Sequence, residues 1–271
     1  MIIDFHTHCF PDALAEKALG KLSAIGNLPT HSDGTAAGTL AKMDACGIDR
    51  AVVLNIATND RQTANVNRFA IETNQNPRLY SLGSVNPTSS EASLDAELTR
   101  LAEAGVAGIK IHPDYMGVAI DDARFAPIFA RCSELGLFVV THAGWDFISP
   151  DKIHASPERI DRVLRAFPRL KLVAAHFGGN RQWDEVERLL IGRPVWLDTS
   201  LTSLFGLDPA QFTRMLRRHD SSRILFGSDL PWCDPSEALR YLESLRLPSE
   251  LLEKILCQNA LDLLGKAAEK N

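Results

Sequence analysis

The chain opens Ile2-Ile3-Asp4-Phe5-His6-Thr7-His8-Cys9-Phe10-Pro11, and this stretch decides between two architectures. Ile2 to His6 reads as a short apolar strand, and the turn after it holds no glycine. A doubly wound nucleotide-binding sheet advertises a glycine-rich phosphate turn after its first strand. His6 and His8 stand in that place instead. Two apart on extended backbone, they share a face, and two imidazoles on one face can chelate one metal ion. Reactive side chains at the carboxyl end of a strand are what a closed (β/α)8 barrel gathers at its mouth.

Outward from that strand one pattern recurs: a β-branched apolar run, then a longer amphipathic stretch. The runs are Ile2 to His6, Ala51 to Asn55, Tyr80 to Val85, Gly108 to His112, Phe138 to His142, Leu172 to His176, Val195 to Thr199 and Ile224 to Gly227. Their spacing is close to the roughly 30 residues of a βαβ unit, apart from a longer first interval. The excess there reads as a loop around Gly26 to Gly38, followed by a helix from Leu40 to Ala45 that stops at Gly47. Ser90 to Ala104 and the segment opened by Ser156-Pro157-Glu158 read as helices from their caps and their spaced Leu, Ile and Val. Near-continuous apolar runs such as Ala51-Val-Val-Leu imply strands covered on both faces, hence a parallel sheet. The expectation is a (β/α)8 TIM barrel forming a single domain over residues 1–271, with specificity in the loops Pro11 to Gly38, Pro113 to Asp121 and Gly144 to Ser156.

Composition narrows the partners. The 271 residues are 45% hydrophobic and 23% charged, with 29 Lys plus Arg against 34 Asp plus Glu and a net charge of -5. That balance lacks the basic footprint of a nucleic-acid binder or an anionic-membrane binder, so neither partner is expected. No apolar run approaches the roughly 20 residues of a membrane span, and Met1 to Phe10 does not read as a secretion signal. The five cysteines are odd in number and scattered, which suits free thiols in a cytoplasmic protein better than a disulfide frame.

A His-x-His pair alone is weak evidence, but further candidates end other strands: His142 in Val-Val-Thr-His-Ala-Gly, His176 in Ala-Ala-His-Phe-Gly-Gly, and Asp229 in Phe-Gly-Ser-Asp-Leu-Pro-Trp. A barrel would bring these ends around one mouth. With Asp4-Phe-His-Thr-His8, Gly108-Ile-Lys-Ile-His112-Pro and Asn259-Ala-Leu-Asp-Leu-Leu264-Gly, these motifs resemble the amidohydrolase superfamily, in its amidohydrolase-2 branch of hydrolases and nonoxidative decarboxylases. The resemblance implies that His6, His8, His142 and Asp229 bind a divalent metal. Zinc comes first, with manganese or iron as alternatives, and one ion is preferred over two. It implies that His176 and Asp229 handle protons.

Lys110 carries two readings: a carbamylated bridge between two metals, as in other members of the superfamily, or a cation that binds an anionic substrate together with His112. The second is preferred. Trp145, Asn180, Arg181 and Trp232 are further candidates for a substrate pocket with aromatic walls and a few polar selectors. Cys9 and Cys233 flank the motifs without metal-ligand spacing to another cysteine. The leading expectation is a hydrolase that uses metal-activated water on an amide, lactone or ester of a small anionic substrate. The alternative is a nonoxidative decarboxylase of a small unsaturated or aromatic acid. The resemblance also leaves a homodimer open.

Overall fold

The computed structural model describes residues 1–269. In chain order the strands and helices are β1 (Ile3–Thr7), α1 (Asp12–Gly26), α2 (Ala36–Cys46), β2 (Arg50–Leu54), α3 (Thr63–Thr73), β3 (Leu79–Leu82), α4 (Glu91–Glu103) and β4 (Gly108–Ile111). There follow α5 (Pro113–Met116), α6 (Ala126–Leu135), β5 (Phe138–Thr141), α7 (Pro157–Ala166), β6 (Leu172–Ala174), α8 (Trp183–Leu189), β7 (Trp196–Asp198) and α9 (Pro209–Arg218). The last are β8 (Ile224–Leu225), α10 (Pro235–Ser244), α11 (Ser249–Glu253) and α12 (Asn259–Leu264).

All eight expected strands are present, but from β2 onward each ends one to three residues before its apolar run does. Beyond the last ladder rung the backbone turns towards the barrel mouth, as at His176 and Phe177, whose φ values are 55° and 53°. The segment expected as loop after β1 contains a 15-residue helix, α1, and buries Ala15 and Leu19. Its Ala13-Leu-Ala-Glu-Lys-Ala-Leu19 run is made of strong helix formers, whose propensity outweighs Gly20. The expected stop at Gly47 is found: it caps α2 in the left-handed conformation.

Strands β1, β2 and β3 form one parallel arc and β4 to β8 another. The arcs meet at two seams. At one, Lys110 N–H donates to Gly83 O (2.8 Å) and Gly83 N–H to Gly108 O (3.2 Å). At the other, Phe5 N–H donates to Phe226 O (2.7 Å), Asp229 N–H to His6 O (2.8 Å) and His8 N–H to Leu230 O (2.6 Å). The sheet thereby closes into a TIM barrel, which leaves no exposed strand edge.

Alternation along the strands sorts the core into two layers. Phe5, Val52, Leu54, Leu82, Phe138, Val140 and Val173 fill the inside, where Phe5 and Phe138 approach across the barrel with ring centroids 5.7 Å apart. Ala260, Leu263 and Leu264 of α12 join this inner layer. Val53, Ile109, Ile111, Val139, Leu172 and Leu197 face outward and pack on helical residues such as Leu98, Leu101, Ile160 and Phe212. Among the described residues, no helix is long and apolar enough to cross a membrane.

Candidate metal centre and its surroundings

A bulge in β1 aims the first two histidines. Asp4 pairs with Ala51 and Thr7 with Val53, so three steps of β1 oppose two of β2. The extra residue turns His6 inward although its neighbour Phe5 already lies in the inner core, and His8 follows on the same side. Their rings stand 5.2 Å apart. Asp229 is delivered from beyond β8 in the left-handed conformation, with φ 74°. Hydrogen bonds hold that turn: Asp229 N–H to His6 O, and Trp232 N–H to Asp229 O at 2.7 Å. Behind it, buried Asp4 accepts from Ser228 N (2.9 Å) and from Ser228 Oγ, which fixes β1 to the end of β8. Half-buried Trp232 closes the turn through its backbone.

Hydrogen-bond directions show what this group fits. His8 Nδ1 lies 2.8 Å from Leu54 O, and a carbonyl only accepts, so Nδ1 carries the proton and Nε2 is bare. His6 Nδ1 lies 2.9 Å from Asp198 Oδ2, which leaves its Nε2 bare as well. Both Nε2 atoms face Asp229 Oδ1, at 3.3 Å from His6 and 3.1 Å from His8. Asp229 Oδ1 is buried without a hydrogen-bond partner, and with both Nε2 atoms bare it would face them lone pair to lone pair. Two nitrogens and a carboxylate oxygen with no proton among them form a donor set for a divalent cation, each imidazole oriented by its other nitrogen. His6, His8 and Asp229 therefore fit a metal ion.

His142 stands with a second group. Its Nε2 is buried and has no hydrogen-bond partner, while Asp146 Oδ2 lies 3.7 Å from it and 3.6 Å from His112 Nε2. The His142 and His112 rings are stacked at 4.2 Å, and Tyr115 stacks on the far face of His112 at 3.9 Å. His112 Nδ1 accepts from Tyr115 N–H (3.4 Å), so its proton lies on Nε2 and it faces the chamber as a donor. His176 links the two groups: its ring is 5.0 Å from His6 and 4.8 Å from His142. Both of its nitrogens are engaged, Nε2 with His142 Nδ1 (3.0 Å) and Nδ1 with Ser200 Oγ (2.8 Å).

Electrostatics follow from burial. His6, His112 and His176 are held well below the usual imidazole value, first by desolvation and then by neighbouring positive charge, so all three are neutral near pH 7. Burial would push Asp229 up, but nearby positive charge, the buried Lys110 ammonium included, holds it below the usual carboxylate value and ionised. Lys110 is only 1% exposed, and desolvation brings its ammonium down to about 8 against the opposing pull of Asp198, Asp229 and Asp146.

At the mouth, Trp145 and Phe147 follow β5, Arg181 follows β6 and Phe205 follows β7. The Arg181 guanidinium lies 4.0 Å from the Trp145 ring centre and 4.5 Å from that of Phe205. Gly144 makes the close approach behind this cluster. A Cβ there would stand 2.1 Å from Asn180 N, and its φ is +88°.

Sequence reading missed Asp146, Asp198, Ser200, Tyr115 and Phe205. Asp198 and Ser200 had a signal, since both stand at the carboxyl end of a strand. Asp146 follows His142 by four residues, but its inward aim depends on the turn at Gly144.

The family model described as amidohydrolase matches residues 3–266. A 2-amino-3-carboxymuconate-6-semialdehyde decarboxylase of Dictyostelium discoideum is 25% identical over 232 residues, 70% of this chain and 62% of that protein, so the chain spans less than two thirds of its length. An uncharacterised TIM-barrel protein of Bordetella bronchiseptica superimposes with a TM-score of 0.79 at 23% identity, over 99% of each chain. A 5-carboxyvanillate decarboxylase of Novosphingobium aromaticivorans, crystallised with manganese and 4-hydroxy-3-methoxy-5-nitrobenzoic acid, superimposes with a TM-score of 0.73 at 15% identity, over 97% of this chain and 96% of that one. The structural likenesses bear on the fold, and the family match covers nearly the whole sequence: the chain belongs to the amidohydrolase family.

Proposed function

We propose that this protein is a metal-dependent nonoxidative decarboxylase of a small unsaturated or aromatic carboxylic acid. The leading expectation of hydrolysis gives way to the alternative. The observation that carries this is Lys110, a buried ammonium that pairs with no carboxylate among the described residues, two positions before His112, whose Nε2–H faces the chamber as a donor. A hydrolase needs an aligned water, whereas a decarboxylase needs a cation facing the departing carboxylate. The decarboxylases among the relatives support the same reading.

His6, His8 and Asp229 would hold one divalent ion, with His142 Nε2 as a fourth donor; manganese and zinc both suit nitrogen and carboxylate ligands. When bound, such an ion supplies polarisation of a substrate oxygen next to the reacting carbon. Lys110 and His112 grip the carboxylate, and the aromatic cluster at the mouth excludes water from the chamber. An imidazole or a water delivers a proton to the carbon that bears the carboxylate. The carbon–carboxylate bond then breaks, its electron pair returns to the unsaturated system, and carbon dioxide leaves.

The test is a panel of aromatic and unsaturated acids offered to manganese- or zinc-loaded protein in deuterium oxide. The expected result is carbon dioxide release with one deuterium at the vacated carbon. Incorporation of oxygen from labelled water without carbon dioxide would restore hydrolysis.

A further inference from the structure

Strand β7 and the turn after it send two side chains towards the histidines that no motif singled out. Asp198 is wholly buried and collects four donors. Its Oδ2 faces His6 Nδ1 (2.9 Å), and its Oδ1 accepts from His176 N (3.0 Å), Ser200 N (3.1 Å) and Ser200 Oγ. Ser200 Oγ also lies 2.8 Å from His176 Nδ1 and 3.1 Å from His6 Nδ1. A serine has one proton to donate, and the carboxylate is its strongest acceptor.

That single assignment settles every bond beyond it. With its proton on Asp198, Ser200 Oγ can only accept, so His176 Nδ1 carries a proton. Neutral His176 is then bare at Nε2 and must accept from His142 Nδ1 (3.0 Å), which leaves His142 bare at Nε2. That atom is the buried nitrogen without a partner. Reversing the chain would place an N–H there whose nearest acceptor, Asp146 Oδ2, stands 3.7 Å away, beyond hydrogen-bond reach, and would press Ser200 Oγ on Asp198 with no proton between them. A buried donor left unpaired and two oxygens in contact without a proton are both unfavourable, so the first direction prevails.

We propose that Asp198 and Ser200 form a proton-ordering hub, which fixes His6 directly and His142 through His176 so that both offer a bare Nε2 to the metal position. Ser200 and His176 are thus positioning residues, coupling strands β7, β6 and β5. The tautomers rest on hydrogen bonds of the metal-free protein; the metal arm of the proposal rests on the metal-centre reading above.

The experiment separates the two. In metal-free protein labelled with nitrogen-15 histidine, long-range proton–nitrogen correlation at pH 7.5 reports each tautomer without any metal. His6, His8, His142 and His176 are expected as Nδ1–H and His112 as Nε2–H. Ser200→Ala should mix the tautomers of His176 and His142 while His6 and His8 stay ordered. It should also weaken zinc binding, measured by chelator competition, by about 10–100-fold. Ser200→Thr, which keeps the hydroxyl, should restore both. His142 found as Nε2–H in the unmutated protein would overturn the proposal, as would Ser200→Ala protein whose tautomers and zinc affinity both match wild type. Ordered tautomers in a protein that binds no zinc would overturn the metal reading alone.

Discussion

Lys110 holds its charge inside the barrel at a cost, and a functional assignment for it makes a prediction with opposite signs. Its ammonium is pushed from 10.5 to about 8 by burial, so below pH 8 both folded and unfolded chains carry the proton and the folded state bears the full penalty, on the order of 3 kcal/mol. Lys110→Met fills the same space without charge. It is expected to raise unfolding free energy by about 1–3 kcal/mol at pH 7, while lowering kcat/KM at least 100-fold. The gain should shrink as pH rises from 8 towards 10.5, because the wild-type penalty vanishes there; urea unfolding at pH 7 and 10 checks the sign. Arg181 acts differently. Its guanidinium sits in the corner between the Trp145 and Phe205 rings, which meet at 73°, and its charge is offered to an anion at the mouth. Arg181→Met is expected to raise KM about tenfold for whichever acid of the panel turns over, with kcat little changed, because the contact is equal in ground and transition states.

Elements were more legible than the links between them. The eight strands could be found because β-branched apolar runs covered on both faces leave a strong trace, and His6 and His8 because a strand end has a period of two. The bulge that makes their shared aim possible has no such trace, since it depends on pairing with β2. Asp198 and Ser200 were hidden for a related reason, since their roles lie in hydrogen bonds from the end of β7 to His6 and His176, and Asp146 because its aim depends on the turn at Gly144. Gly144 is one such link. Its loop is tied to the next by Trp145 N–H to Asn180 O (3.0 Å) and Asn180 N–H to Ala143 O (2.9 Å). Gly144→Ala would drive a methyl into backbone at a left-handed position, where no side chain can yield. Destabilisation on the order of 2–4 kcal/mol is expected, read as a lowered urea midpoint.

For the molecule as a whole, the candidate ligands lie on both arcs, with His6 and His8 on the first and His142 and Asp229 on the second. A ligand that binds only the folded barrel adds about 2.7 kcal/mol of stability at a hundredfold excess over Kd. For a chain of this size that is a rise of roughly 5 °C in Tm on adding manganese or zinc. Asp229→Asn should abolish the rise, which scanning calorimetry in chelator and in metal would show. The two seams should not respond alike. Cation ligands flank the joint where Phe5, His8 and Asp229 donate across it, and none flanks the joint of Gly83 with Lys110. The ion would act as a clasp on one side of a hoop: amide exchange at Phe5, His8 and Asp229 should slow when it binds, while Gly83 and Lys110 keep the pace of the bare protein.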